Sequence, residues 1–259
     1  MTGIADSAFS CCENLTSVTI PDSVTRIGDW AFYGCTSLVS VIIPNSVMSI
    51  GEGSFQKCTN LKDVNIPLSV VSIGANPFDG TPVIENAAEG VAVKCGLVIG
   101  VKGECPEEVV LREGVRGIAE EIFKDCTILK SITLSKELET IGSSAFDGCT
   151  KLTEVVFEGA PPTCGNNTFS SGPIGYYLAK YATEWKAVLD EEGKWNGIEM
   201  KQIEDVVFPD VTTKEEIAAA FEGVKDSRLA ANITNVTEYA TFKTWMDDVA
   251  KGDVEVRQI

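Results

Sequence analysis

The chain has 259 residues, 44% of them apolar, and a formal net charge of -17. That charge excludes the basic stripe that nucleic acid or an anionic membrane would require. Histidine is absent, which removes the commonest general base and metal ligand and any Ser-His or Cys-His nucleophile pair. No apolar run reaches the 18 or so residues needed to span a bilayer.

The chain opens on Gly3-Ile4-Ala5-Asp6-Ser7-Ala8-Phe9, which matches the back half of a longer unit completed at Leu15 to Phe32. With no secretory leader at Met1 and a start in mid-unit, a piece of a longer precursor is expected. Phe9, Phe32, Phe55 and Phe78 are 23 residues apart, as are Phe123, Phe146 and Phe169. Each unit reads L-x-x-V-x-I-P-x-x-V-x-x-I-G-x-x-A-F-x-x-C. One unit of that size cannot bury its own apolar face, so a fixed period predicts identical coils stacked on one another.

Within a unit the V-x-I segment alternates apolar and polar, the period of a strand, and the following Pro ends it because Pro cannot donate to a ladder. Rungs are predicted at Val18–Ile20, Val41–Ile43, Val64–Ile66, Val109–Leu111, Ile132–Leu134 and Val155–Phe157. The Gly after Ile27, Ile50, Ile73 and Ile141 predicts a tight turn or a close backbone approach. Ala5 and Ala119 hold the same position, so a positive φ is not obligatory there. Cys12, Cys35, Cys58, Cys126 and Cys149 each follow their Phe by three, a buried spine of small thiols, with stacked disulfides as the alternative. No CxxC pair exists, which argues against a zinc site. Of the other cysteines, Cys95 with Cys105 is the expected bridge.

The period breaks once. Phe78 and Phe123 are 45 residues apart, so one unit holds a 22-residue insertion between about 79 and 106. Its two β-prone runs, 90–93 and 97–101, predict a hairpin, either projecting as an arm or folded back on the stack. After Phe157 the pattern decays. Leu178, Tyr181, Trp185, Val188 and Leu189 fall at helical spacing and predict a capping helix over 176–191, followed by a turn at Asn196-Gly197 and a strand at 198–203. From Glu204 a capping box at Thr213 to Glu216 begins the first of two expected helices. The predicted organisation is a solenoid over 1–169, a cap over 170–203, and a small, truncated helical module over 204–259.

The unit V-T-I-P-D-S-V-T-R-I-G-D-W-A-F-Y-G-C-T-S-L resembles the BspA-like class of leucine-rich repeats, a family of bacterial surface and secreted proteins, from Gly3 to about Phe169. The tail, with Ala230 to Thr234 and Tyr239 to Trp245, resembles more loosely a module that follows such repeats. The resemblance implies a repeat solenoid with one parallel sheet on a concave face and a convex side of irregular or short strands. It also implies an extracellular or cell-surface location and a non-enzymatic adhesion role toward host, matrix or microbial proteins, with no cofactor and no metal. In such repeats the residues flanking the buried V and I point outward. Those candidates are Ser17, Thr19, Ser40, Ile42, Asp63, Asn65, Glu108, Val110, Ser131, Thr133, Glu154 and Val156, with Ile42, Val110 and Val156 the suspicious apolar members. A structural spacer and an appendage of a secreted enzyme are the competing readings.

Overall fold

The computed structural model describes residues 3–87 and 90–203. The chain divides into two compact units, Met1–Tyr177 with Tyr181–Lys201, and Leu178–Lys180 with Gln202–Ile259. The two helices expected after Glu204 lie outside the described residues.

In the first unit every 23-residue coil lays down two short rungs. On the V-x-I side, Val18–Thr19, Ser40–Ile42 and Asp63–Asn65 pair in parallel; Glu108–Val110, Ser131–Leu134, Glu154–Phe157 and Ile174–Leu178 do the same. The parallel sheet on this side is thus hydrogen-bonded as two ladders, interrupted where the period breaks. On the I-G side, Gly3–Ile4, Arg26–Ile27, Ser49–Ile50 and Ser72–Ile73 form a second set, taken up again by Gly117–Ile118, Thr140–Ile141 and Thr163–Cys164. Register follows the repeat: Val41 stands opposite Val64 and Ile27 opposite Ile50. A one-residue slip would turn the valines and isoleucines outward, so burial of one face fixes the register.

A third ladder runs through the phenylalanine turns, where Trp30, Phe32 and Gly34 donate backbone N–H to Glu52, Ser54 and Gln56 at 2.7–2.9 Å. Two residues in each of these turns take left-handed φ, the Phe169 turn excepted, which has a member in the first column alone. One column is Ser7, Trp30, Gly53, Asn76, Glu121, Ser144 and Asn167; the other is Cys11, Gly34, Lys57, Gly80, Asp125 and Gly148. The glycine after each isoleucine is not among them. Its role is close approach: a Cβ on Gly28 would stand 2.6 Å from the Asp6 amide nitrogen, and one on Gly142 2.5 Å from that of Glu120. Ala119 is tolerated in this column because it follows the insertion, and its amide meets Val98 of the hairpin at 3.0 Å rather than a regular coil.

The phenyl rings stack at 5.2–5.5 Å between centroids and 3–6° between planes, from Phe9 to Phe78 and from Phe123 to Phe169. Beside them Cys35, Cys58 and Cys149 form a buried spine of thiols, three of the five expected; Cys12, in the first coil with no coil before it to cover it, is exposed. Cys35, Cys58 and Cys149 donate Sγ–H to the carbonyls of Phe9, Phe32 and Phe123 at 3.1, 3.0 and 2.9 Å. Each thiol gives a second donor to a carbonyl of the preceding coil that already accepts one backbone N–H, a role an alanine or valine could not fill.

Cys126 has no such partner, because the residue 26 positions earlier is Gly100 of the insertion. It is bridged to Cys105, with Cα atoms 5.8 Å apart. This corrects the expected Cys95–Cys105 pairing: Cys95 occupies the hairpin turn at φ 51, exposed and free, and the bridge ties the exit of the insertion to the next coil.

The hairpin, Gly90–Lys94 with Leu97–Lys102, is spliced into the stack. Leu97 and Val98 pair in parallel with Gly117 and Ile118, so the hairpin continues the I-G ladder. Leu97, Val98 and Ile99 are all buried. Leu97 and Ile99 join the core of the first block of coils, while Val98 joins that of the second. A strand with apolar residues on both faces can serve two cores at once, and here it stands as the partition between them.

The expected 176–191 helix is mostly something else. Residues Ile174–Leu178 are a strand, Ala179–Tyr181 a 3-10 turn, and only Ala182–Lys186 an α-helix. The open edge of Glu154–Phe157 captures Ile174–Leu178 as one more rung, and this tertiary pairing overrides the helical spacing. Trp185 and Trp195 pack edge-on to Phe157 at 4.8 and 5.3 Å, and the Trp185 indole N–H reaches the Gly159 carbonyl at 3.0 Å. The turn at Asn196-Gly197 has φ of 47° and 81°, as the Asn-Gly signal requires.

Candidate binding face

The outward residues of the first three V-x-I strands form a continuous polar field with one apolar centre. Ile42 is 74% exposed and stands between Thr19 and Asn65 in the ladder. Ser17, Thr19, Ser40, Ile42 and Asn65 line one shallow groove together with Asp22 and Asn45. Asp63 is exposed too, but Lys94 of the hairpin holds it at 2.8 Å. That contact keeps the Asp63 carboxyl below its ordinary range.

The second ladder is a different surface. Glu108 and Val110 are exposed, Ser131, Thr133 and Glu154 half-buried. Val156 is buried, at 1% exposure, which corrects its assignment to an open face. The strand Ile174–Leu178 pairs onto Glu154–Phe157 and sets the buried Tyr176 opposite Val156. The twelve candidates therefore separate: the six from Ser17 to Asn65 share one accessible field, and the other six do not join it.

Leu68, 78% exposed, was not foreseen. It occupies the column of Asp22 and Asn45, both of which line the groove, so comparing the units position by position would have exposed it as an apolar residue in a polar column.

The chemistry available elsewhere is limited. Burial pushes the Cys58 thiol up to about 12, Cys149 to about 11 and Cys164 to about 12, which keeps them protonated and unreactive at neutral pH. Among the described residues no group of three or more Cys, Asp and Glu is placed to hold a metal ion, and no helix is long and apolar enough to cross a membrane. Glu120, half-buried, lies close to Glu121, Asp29 and Glu52. Burial, then these like charges, raise its pKa.

Stacked 23-residue coils with a parallel V-x-I ladder and a buried column of phenylalanines define a leucine-rich repeat solenoid. The BspA type leucine rich repeat region matches in six copies over residues 1–88 and 103–175. The chain belongs to that family. The gap between the two matched segments, 89–102, contains the hairpin, and 176–259 lie beyond the match. No curated protein matches the chain. Among solved structures it is similar to the leucine-rich repeat protein TpLRR of T. pallidum, at 26% identity and TM-score 0.35 over 69% of this chain and 67% of that one. It is also similar to a leucine-rich repeat protein from Bacteroides ovatus, at 21% identity and TM-score 0.34 over 80% and 67%. A third is a leucine rich cell surface protein from Faecalibacterium prausnitzii, at 19% identity and TM-score 0.30 over 85% and 86%.

Proposed function

We propose that the chain is a non-enzymatic binding module of a surface or secreted protein, and that it engages a protein partner through the field formed by Ser17, Thr19, Ser40, Ile42, Asp63 and Asn65. The observation that carries this reading is Ile42. It is a large aliphatic side chain left 74% exposed at the centre of a groove, where the frame of the repeat asks only for a residue that tolerates a strand. An isolated apolar anchor ringed by small polar groups is the arrangement from which interface hot spots are built. Family membership supports a binding role, and the surface location named for the Faecalibacterium protein supports an extracellular one. The lack of histidine and the protonated buried thiols weigh against catalysis.

The test immobilises the chain, offers it purified matrix, mucosal and bacterial surface proteins, and repeats any binding with Ile42→Asp and Val110→Asp. Ile42→Asp should weaken binding at least about tenfold, some 1.4 kcal/mol, and Val110→Asp should not. Equal binding by Ile42→Asp would remove the field from the interface, and no binding by any protein would favour a spacer.

A further inference from the structure

The left-handed column two residues before each phenylalanine is filled by Ser, Gly, Asn and Glu, with one exception. Trp30 holds that position at φ 52. A bulky residue with positive φ is an outlier, costing on the order of 1–3 kcal/mol, and 40% of the Trp30 surface is left open to solvent. The next coil makes room for it. Gly53 lies under the indole, where a Cβ would come within 2.6 Å of Cδ1 and 2.8 Å of Nε1. The frame would be served as well by serine, which it uses at Ser7 and Ser144. A strained, part-exposed tryptophan at a position the frame otherwise fills with small or polar residues is the kind of outlier from which a use is inferred.

Tyr33, in the same coil, is likewise the aromatic member of a polar column, with Ser10, Gln56 and Asp79 as its equivalents in adjacent coils. Lys57 Nζ sits 5.3 Å from the centre of the Tyr33 ring, and Gln56 Nε2 donates to Asp79 Oδ2 at 3.0 Å. Three consecutive coils therefore present an exposed indole with the Gln56 amide close to it and, on the same strip, a carboxylate and an ammonium, all on backbone fixed by the turn ladder.

We propose that this strip is a carbohydrate-binding platform, with Trp30 beneath the C–H face of a pyranose ring and Gln56, Asp79 and Lys57 bonded to its hydroxyls. The electron-rich face of an indole attracts the slightly positive C–H groups of a sugar as it does aromatic edges and cations. Hydroxyls both donate and accept, and the amide, carboxylate and ammonium answer both needs. The ring face is offered together with groups that donate and groups that accept, the pairing that a sugar's C–H face and hydroxyls require. The strip belongs to the phenylalanine turns rather than to the V-x-I strands that carry Ile42.

Isothermal titration of the chain with cello-, chito-, manno- and xylo-oligosaccharides tests the assignment. At least one should bind with Kd of about 1 mM or tighter, and Trp30→Ser should weaken it at least about tenfold. Trp30→Phe, which keeps a ring, should retain most of it. Trp30→Ser should keep a cooperative thermal transition, since serine holds the same left-handed position at Ser7 and Ser144, so that a loss of binding reports the site and not unfolding. No binding by any of the four, or binding unchanged in Trp30→Ser, overturns the proposal. So does a Trp30-dependent protein partner that still binds after its glycans are removed.

Discussion

Gly51 and Ala119 occupy the same column, and the difference between them is what lies in the preceding coil. A Cβ on Gly51 would come 2.6 Å from the Asp29 amide nitrogen, a contact that backbone on both sides cannot relieve. Gly51→Ala and Gly142→Ala should each cost about 1–3 kcal/mol in denaturant unfolding, as overpacking does. Ala119→Gly should cost about 1 kcal/mol or less, the entropy of an added glycine. Similar losses for all three would refute close approach as the reason. The sequence reading anticipated the close approach but could not see that positive φ belongs to the columns either side of the phenylalanine. Those columns mix Ser, Asn, Glu, Lys and Asp with Gly, and no single residue type marks them. The thiol spine was legible because its spacing is strict. In the absence of reductant a cysteine label should modify Cys11, Cys12 and Cys95 quickly, Cys35, Cys58, Cys149 and Cys164 only on unfolding, and Cys105 and Cys126 only after reduction. Rapid labelling of Cys105 in the unreduced protein would contradict the bridge.

At the scale of the element, the insertion behaves as a substitute rung. Its hairpin was readable from two β-prone runs about a short turn, whereas its destination was not, because parallel pairing with Gly117 and Ile118 is a contact that local sequence does not encode. The Cys105–Cys126 pairing escaped for the same reason. Cys126 looks like any other member of the spine until the missing carbonyl of the preceding coil is noticed. Closing a loop of 21 residues by a disulfide is worth about 3 kcal/mol on a chain-entropy estimate. Cys105→Ala with Cys126→Ala should lose about that much in chemical denaturation, and an undiminished midpoint would deny the bridge a structural role. Arg116 adds a second tie, its guanidinium donating to the Val70 and Pro67 carbonyls at 2.9 and 3.3 Å. Glu120 works against the junction. Burial and then the charges of Glu121, Asp29 and Glu52 raise its pKa above the ordinary 4.5, so folding favours its protonated form. Its ionisation penalty is absent below pH 4.5 and grows as pH rises through the higher folded value. Glu120→Gln should accordingly melt higher than the parent at pH 7, with the gap closing as the pH is lowered toward 4. A constant gap across that range would show that the carboxylate is not penalised.

Across the first unit as a whole, two blocks of coils with separate cores meet at one shared strand, and their exposed surfaces differ. The first block carries the accessible field around Ile42, Leu68 and the Trp30 strip, while on the second Val156 and Tyr176 are buried. Periodicity revealed the frame, since residues repeating every 23 positions are those the coil needs. Departures from a column, such as Leu68 among Asp22 and Asn45, or Trp30 among serines and asparagines, mark what the frame does not explain. Val156 could not be separated from Val110 by this route, because its burial depends on a strand that begins at Ile174. The claim on which the division into blocks rests is that the hairpin strand is interior and shared, which native-state hydrogen exchange measures directly. Leu97, Val98 and Ile99 should exchange as slowly as Ile50 and Ile141 in the regular coils, and exchange of those three amides at the rate of an exposed loop would contradict the account.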